Sequence, residues 1–437
     1  MSDKKKSAID FDKFVTSEVP QEDRQSWISV MFIWMGTMVC LPSILLGQSL
    51  VSGLGFGLAI LSGLVGYLVI ILITALQGSQ SSDLGRPAVV LARKSFGSGL
   101  ANILFSFVIA IALIGWFGVQ TGVAASALQQ LFEIFNVSIP LKLASIIMGV
   151  VVLISALYGF KVLENISKYT VPLLIIVFLW AFFNALQGAD LNAVVSYQPS
   201  ETMSFIDGVV IVIGSFVLGA VIAGDYTRFN KNRKDTIKAA FIGIVPVGML
   251  LLFIGVFLTI VSINNGVNNP DIVTVINQNI PFPIISSLVL LVATWKTNVA
   301  NAYSAGIAVV NGLNLKDSDR AKMTAVTGVI GTVLAVIGIS THFQLFLTLL
   351  TNLIIPIAGV MIADYWVLHK GKVEGYMEKE PNQGKAIASY LVGAVLGIIS
   401  TFKPDFIANI PTLANALPIL SIIVPFILYI FIMKIKR

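Results

Sequence analysis

Long apolar segments separated by short polar stretches make up the chain from residue 27 onwards. A helix needs about 20 mostly apolar residues to cross the hydrocarbon core of a bilayer. Segments that satisfy this requirement lie near residues 27–50, 54–77, 99–131, 141–160, 170–187, 206–224, 238–262, 282–312, 324–340, 343–367, 386–402 and 411–433. The pattern therefore predicts an all-α polytopic membrane protein with twelve transmembrane helices, which we number as spans one to twelve.

Span eight departs from this pattern because it carries a lysine near its middle. Lys296 is followed by Thr297, Asn298, Asn301 and Ser304 within the same apolar segment. A lysine ammonium at membrane depth costs roughly 2.5–3.5 kcal/mol on insertion scales. The alternative, a lysine that snorkels to the interface, needs a position near a span end, whereas apolar and small residues extend on both sides here. We interpret this stretch as the wall of a polar cavity.

The composition agrees with a membrane protein and disfavours a membrane enzyme. Hydrophobic residues make up 56% of the chain and charged residues 11%, with a mean hydropathy of +0.90. The single cysteine, Cys40, excludes an intrachain disulfide and a thiolate metal cluster. The acidic residues and the two histidines lie at span ends or in loops. A catalytic cluster of carboxylates or histidines within the spans is therefore not expected.

The distribution of basic residues predicts the orientation in the membrane. All but three of the 28 lysines and arginines lie in the terminal segments or in the loops of one side. The exceptions are Lys296, within span eight, and Lys142 and Lys403, which lie in loops on the other side of the membrane. Because cytoplasmic loops accumulate lysine and arginine, both termini are predicted to be cytoplasmic, with residues 1–26 as a cytoplasmic tail. The net charge of +6 then reflects membrane topology and no nucleic-acid binding is expected. The asparagine-rich stretch 264–279 is expected to be a solvated outer loop.

Two spans contain residues that interrupt helices. Span one contains Pro42, which removes a backbone donor, and span six contains the glycine- and serine-bearing stretch 214–219. Many transporters place discontinuous helices at matching positions of two inverted halves, with the binding site at the breaks. The spacing favours a five-plus-five inverted repeat over two ordinary kinks. The transporter domain, 27–437, then comprises repeats at 27–190 and 205–367 and two appended helices at 386–433.

Span three carries a candidate binding pair. Trp116 and Gln120 are four residues apart, so both side chains project from one face of a helix. An indole can stack on a flat heterocycle while an amide one turn away hydrogen-bonds its edge. Tryptophan in a membrane protein is more often an interfacial anchor or a packing residue. The buried glutamine favours a binding role here, because an unpaired amide in lipid is costly.

Several short motifs together resemble the nucleobase:cation symporter-1 family, and within it the bacterial cytosine permease branch. The motifs are Gly115-Trp116-Phe117-Gly118, Gly214-Ser215-Phe216, Asp225-Tyr226-Thr227-Arg228-Phe229, Trp295-Lys296-Thr297-Asn298 and Ile362-Ala363-Asp364-Tyr365-Trp366. The resemblance extends over nearly the whole chain. It implies the five-plus-five fold with broken helices 1 and 6, and uptake of nucleobases or related rings with a coupling ion.

The resemblance also implies substrate-binding residues. Trp116 matches the aromatic residue on one face of the ring, and Phe216 matches the aromatic residue on the other face. Ser215 matches the position whose backbone and hydroxyl meet the ring edge. Asn298 or Asn301 is expected to supply an amide from span eight.

The chain departs from the cytosine permease pattern at one pocket position. Cytosine permeases place a glutamine three residues before the tryptophan, where this chain has Leu113. Gln120 instead lies four residues after the tryptophan, as it does in the hydantoin carrier of the same family.

A second departure concerns the coupling ion. In sodium-coupled members, span-one carbonyls and span-eight hydroxyls resemble a sodium cage, which here corresponds to Gly36, Cys40 and Thr297. Lys296 occupies the position of a further hydroxyl. An ammonium at this position can replace sodium, and its reversible protonation can couple transport to protons. The alternative is sodium coupling with Lys296 directed away from the cage.

The sequence thus predicts a transporter of the cytoplasmic membrane that imports cytosine or a closely related nucleobase by alternating access, coupled to protons. The alternatives are a sodium-coupled importer of hydroxymethylpyrimidine, allantoin or a purine and, in another class, a non-transporting receptor or a channel. A channel is disfavoured, because the sequence contains no filter-like pore loop. No cofactor and no obligatory protein partner are expected.

Overall fold

The computed structural model describes residues 17–158, 161–268, 270–404, 407 and 410–435. Residues 1–16 of the predicted tail lie outside this part of the chain. The helices are α1 Trp27–Met38, α2 Leu41–Val51, α3 Phe56–Leu84, α4 Ala88–Phe96, α5 Leu100–Ile134, α6 Leu141–Tyr158, α7 Lys161–Gln187, α8 Leu191–Val195, α9 Phe205–Val221, α10 Gly224–Thr227, α11 Arg233–Asn264, α12 Ile272–Gln278, α13 Pro283–Gly312, α14 Arg320–Val336, α15 Phe343–Ile362, α16 Gln383–Phe402 and α17 Pro411–Lys434. A π-helical turn, Ala363–Leu368, extends α15.

Helices are present at all twelve predicted positions. Among the described residues, nine helices are long and apolar enough to cross a membrane. The α1–α2 pair makes ten if it forms one span. The two shorter helices are α6, whose apolar part is Leu141–Leu157, and α14, with 17 residues. These two pack against each other and against α5. The chain is therefore an all-helical membrane protein with nine to ten long apolar spans.

Helix α3 shows how the spans divide their surface between lipid and protein. Its exposed side carries a row of leucines, namely Leu58, Leu61, Leu64, Leu68 and Leu72. Its buried side carries small and polar residues, among them Gly66 and Tyr67. A Cβ at Gly66 would lie 2.5 Å from the side chain of Val212, so the glycine lets α9 approach. Small residues at helix contacts are typical of membrane bundles.

The predicted break in span one is confirmed. Helices α1 and α2 meet at an angle of 56°. The Cys40 amide donates to Met38 O at 2.9 Å, and Ser43 Oγ donates to the same carbonyl at 2.7 Å. Pro42 lies in the first turn of α2. Amide groups in the first turn of a helix have no hydrogen-bond partner within the helix, so a proline there removes no helical hydrogen bond. The proline therefore begins the second half-helix.

Span six is interrupted later than expected. Helix α9 continues through 214–219, and only Ile222 and Ala223 separate it from α10. The glycine at position 214 has a different purpose, because a Cβ there would lie 2.0 Å from Leu347 O on α15. Gly214 thus permits contact between two helix backbones and does not bend its own helix.

The expectation of a solvated outer loop at 264–279 is wrong. This stretch contains α12, whose residues Ile272, Val273 and Ile276 are buried. Asp271 caps the helix by accepting from the Thr274 amide at 3.0 Å. It also accepts from Ser126 Oγ of α5 at 2.9 Å. The apolar residues between the asparagines pack this segment onto the bundle.

At one end of the bundle, basic side chains tie several helices together; we call this the basic end, marked by Arg24, Asp83, Arg233 and Asp364. Arg233 Nε donates to both Asp83 oxygens at 2.9 Å, and Tyr365 Oη donates to Asp83 Oδ2 at 2.7 Å. These contacts join the last turn of α3 to the first turn of α11 and to the π-helical turn after α15.

Asp364 forms a second network at the basic end. Its carboxylate is 1% exposed and forms an ion pair with Lys379. Ser95 Oγ donates to it at 2.9 Å, and Tyr376 and Tyr429 donate from 3.3 Å. Burial, together with the charge of Asp364, raises the pKa of Tyr376 well above its usual range. The phenol therefore remains a hydrogen donor. Such partners offset the cost of burying a carboxylate.

The segment 17–25 packs onto this end instead of extending as a free tail. Val19 is fully buried and its carbonyl accepts from Arg24 Nε at 3.3 Å. The Arg24 guanidinium also donates to Ser82 O at the end of α3 and to Asn230 O between α10 and α11. Arg24 is 3% exposed. One side chain thus links the N-terminal segment to both predicted repeats.

Replacement of Arg24 by alanine should destabilise the protein. Arg24→Ala leaves three carbonyls without a charged donor, which should lower the free energy of unfolding by about 2–3 kcal/mol. The lower melting temperature is measurable in detergent solution. Glu18→Gln is the matched control on the same segment, because Glu18 is exposed and its 3.6 Å ion pair with Arg86 is worth under about 1 kcal/mol. Equal melting temperatures for the two variants would contradict the role of Arg24.

Candidate substrate and ion site

Trp116 on α5 is held by two rings of α15. The indole makes edge-to-face contacts with Phe343, at a centroid distance of 6.0 Å, and with Phe346, at 5.4 Å. A Cβ at Gly115 would lie 2.2 Å from Phe346 Cε2, so the neighbouring glycine creates the space for that ring. Trp116 itself is half-buried. The indole is therefore positioned by packing while part of its surface stays accessible.

Phe216 on α9 is likewise held by an aromatic residue that sequence analysis did not identify. Its ring lies 5.8 Å from the Trp34 ring of α1 in an edge-to-face arrangement. Trp34 packs in turn on Tyr226 of α10, with centroids 4.9 Å apart. Trp34 lies within a continuous apolar span, where its sequence pattern is the same as that of any packing residue.

One turn of α15 connects the helices that carry the two predicted stacking residues. Phe346 contacts α5 at Gly115, and the next residue, Leu347, contacts α9 at Gly214. Trp116 follows Gly115 directly, and Phe216 lies two residues after Gly214. The structure thus brings Trp116 and Phe216 to two helices that meet the same turn of α15.

Two polar groups accompany these rings. Gln120 lies one helical turn beyond Trp116 and is 5% exposed, and its Oε1 has no hydrogen-bond partner among the described residues. Ser215 Oγ donates to Val212 O at 2.6 Å, which leaves its lone pairs available as acceptors. A buried polar atom without a partner costs about 1–3 kcal/mol. The Gln120 amide is therefore suited to bind a polar ligand.

The two asparagines of α13 differ in how much of their hydrogen-bonding capacity is used. Asn298 is fully buried and its Nδ2 donates to Phe117 O at 3.0 Å and to Thr121 Oγ1 at 2.9 Å. Its Oδ1 accepts from Asn301 Nδ2 at 3.2 Å. Asn298 thus joins α13 to α5 and positions Asn301. Asn301 is half-buried and keeps its Oδ1 for other partners.

Lys296 lies beside the break between α1 and α2. Its half-buried side chain forms no hydrogen bond or ion pair with any residue in the described ranges, and it lies within electrostatic range of Cys40. Cys40 Sγ lies 3.3 Å from Ser43 Oγ. Lys296 and Cys40 are thus within electrostatic range of each other, and their role in ion coupling stays a prediction. No carboxylate pairs with Lys296 in this part of the chain.

The other two predicted ion ligands lie in less polar surroundings. Thr297 Oγ1 donates to Ala293 O at 3.0 Å within its own helix. An uninterrupted helix would pair the Gly36 carbonyl with the Cys40 amide, which donates to Met38 instead. Gly36 lines an apolar cavity of about 290 Å³ between α1, α7 and α11. The roles of Gly36 and Thr297 as ion ligands therefore stay predictions.

The geometry and the sequence now converge on a family. A family model for permeases of cytosine/purines, uracil, thiamine and allantoin matches residues 18–424. The chain belongs to this family. It is a nucleobase:cation symporter-1 transporter, a multi-pass membrane protein that moves a small-molecule substrate, and it is not an enzyme.

Individual relatives agree with this assignment. Cytosine permease from Escherichia coli strain K12 is 29% identical over 357 residues, which cover 80% of each chain. Allantoin permease from Bacillus subtilis strain 168 is 24% identical over 455 residues, covering 95% of this chain and 91% of the relative. An inward-facing structure of Mhp1 matches with a TM-score of 0.78 at 20% identity and covers 96% of this chain and 94% of the other. These similarities confirm the predicted family and an all-helical membrane fold shared with Mhp1.

A methyl group at Gly214 should damage the site through helix packing. Gly214→Ala places a Cβ 2.0 Å from Leu347 O, so α9 and α15 must separate, at a cost of about 1–3 kcal/mol. We expect lower solute uptake and a lower melting temperature. Gly57→Ala is the control, since no atom lies within 4 Å of its added Cβ. Wild-type uptake by Gly214→Ala would show that this contact is not needed.

Proposed function

We propose that the protein imports cytosine or a closely related nucleobase across the cytoplasmic membrane by proton symport. The observation that carries the proposal is Lys296, which lies beside the α1–α2 break without a hydrogen bond or ion pair to the described residues. The basic end of the bundle then faces the cytoplasm, in agreement with the positive-inside distribution of lysine and arginine.

The aromatic and amide groups account for binding of a flat ring. Trp116 stacks on one face of the base and Phe216 on the other, while α15 and Trp34 keep these rings in place. Gln120 and Ser215 hydrogen-bond the ring edges, with Asn301 completing the set. Aromatic faces supply area without fixing the ring's identity, and the polar groups select the pattern of donors and acceptors.

Lys296 supplies the coupling charge. A protonated lysine next to the helix break replaces the cation that a cage of carbonyls and hydroxyls would hold. Because no described carboxylate pairs with it, its proton can leave without exposing a buried counter-charge. Protonation from the outer side and release to the inner side then carry one proton inward in each complete transport cycle, as alternating access requires.

Uptake into reconstituted vesicles tests the function directly. With radiolabelled cytosine, an imposed proton gradient should drive accumulation above the external concentration, whereas a sodium gradient alone should not. Accumulation against a gradient also excludes a channel and a non-transporting receptor. Sodium-driven uptake would instead favour a cation cage built from Gly36, Cys40 and Thr297. If the vesicles take up another ring but not cytosine, the proposed substrate is wrong, whereas the proposed transport is supported.

Replacement of Lys296 tests the coupling step. Lys296→Ser removes the titrating group, so proton-driven accumulation should be lost and any residual exchange of cytosine should no longer depend on pH. The control is Lys142→Ser, which removes an exposed lysine at the start of α6. If the pH dependence of uptake in Lys296→Ser equals that of the wild type, another group carries the proton.

A further inference from the structure

A cavity of about 480 Å³ lies at the basic end of the bundle; we call it the cationic cavity. Its wall is formed by the N-terminal segment, the last turn of α3, the start of α11 and the loop after the π-helical turn. This volume falls within the range of ordinary small-molecule sites, roughly 300–1,000 Å³. The charged residues of the lining are Arg24, Asp83, Lys231, Arg233 and Lys234.

The lining carries more positive than negative charge, and its carboxylate is already engaged. Asp83 accepts from Arg233 Nε at 2.9 Å. Arg24, Lys231 and Lys234 form no ion pair with any residue in the described ranges. Three cations thus share one cavity without a paired carboxylate. A concave surface lined by one sign of charge attracts an ion of the opposite sign.

The two guanidinium groups have fixed positions and spare donors. Arg24 is 3% exposed and bonds three carbonyls through Nε and Nη1, so its Nη2 donates to none of the described residues. Arg233 uses Nε and Nη2 for Asp83 and Gly371 O, which leaves Nη1 without a described partner. Its guanidinium also lies 4.7 Å from the centre of the Trp366 ring. Guanidinium groups held in this way match the oxygens of a phosphate.

The lysine side of the cavity continues onto an exposed apolar face of α11. Lys231 and Lys234 are both exposed. Ile237 and Phe241 follow Lys234 at helical spacing on the same face, and they are 46% and 45% exposed. An amphiphile with its charged group in the cavity can therefore lay a hydrocarbon chain along this face of the span.

We propose that the cationic cavity binds a phosphate group, and the exposed apolar face of α11 favours the headgroup of an anionic membrane lipid as its source. A phosphate presents several acceptor oxygens, so arginine and lysine donors can bind it together. Basic pockets between membrane helices are suited to acidic lipid headgroups. The occupant would contact α3 of the first predicted repeat and α11 of the second. This inference is independent of the solute that is transported.

Lipid retention by the purified full-length protein tests the proposal. Native mass spectrometry should show that the wild type retains phosphatidylglycerol in preference to phosphatidylcholine. Each lysine near a headgroup contributes about fivefold in affinity, so Lys231→Gln combined with Lys234→Gln should weaken phosphatidylglycerol binding about 30-fold. The control combines Lys316→Gln with Lys322→Gln, which removes two exposed lysines that do not line the cavity. It should bind the lipid as the wild type does.

Two further measurements separate the sources of phosphate and the effects of folding. Melting without added lipid should be the same for both double variants and the wild type, because all four lysines are exposed. Equilibrium dialysis with radiolabelled inorganic phosphate, in a neutral detergent, tests a soluble source. Binding of inorganic phosphate that is lost with the two cavity lysines, without retention of phosphatidylglycerol, would uphold the phosphate site and overturn the lipid source. Equal lipid binding by the two double variants, or binding of neither probe by the wild type, would overturn the site.

Discussion

Direct contact between helix backbones at glycines is the constraint on which this bundle depends. A Cβ at Gly255 of α11 would lie 2.1 Å from Ile44 O of α2, and one at Gly47 would lie 2.3 Å from Leu252 O in return. Lipid supplies no hydrophobic driving force for association between spans, so close packing and interhelical hydrogen bonds must do so. These contacts hold α2, the second half of the broken span, against α11, and the break between α1 and α2 is the place at which the coupling site is proposed.

Much of the fold follows from local sequence because lipid imposes a length and a polarity on each span separately. Helices therefore occur at every predicted position, and Pro42 marks the break in span one. The remainder depends on partners that are distant in sequence. Gly214 allows α15 to approach α9 because Leu347 lies directly opposite it. The stretch 264–279 is packed against the bundle because α12 meets an apolar surface there. Neither partner is visible in the local pattern.

The residues of the candidate site also differ in how far the sequence alone identifies them. Trp116, Gln120 and Lys296 attract attention because their residue types are unusual inside spans. Trp34 and Phe346 do not, since an aromatic residue in an apolar segment has the same pattern whether it packs or binds. Asn298 shows the converse, because its polar type indicates a ligand contact while both of its amide protons bind α5. Residue type thus indicates which helices carry candidate site residues, and the contacts in the structure show which of these residues remain available to bind a ligand.

The single cysteine has a practical consequence. Cys40 is half-buried at the junction of α1 and α2 and is near Lys296, and no other thiol exists in the chain. A membrane-impermeant thiol reagent applied to oriented vesicles therefore reacts at one position only, in the unaltered protein. Any alkylation of the unaltered protein can therefore be assigned to Cys40, at the junction of α1 and α2, without an engineered label.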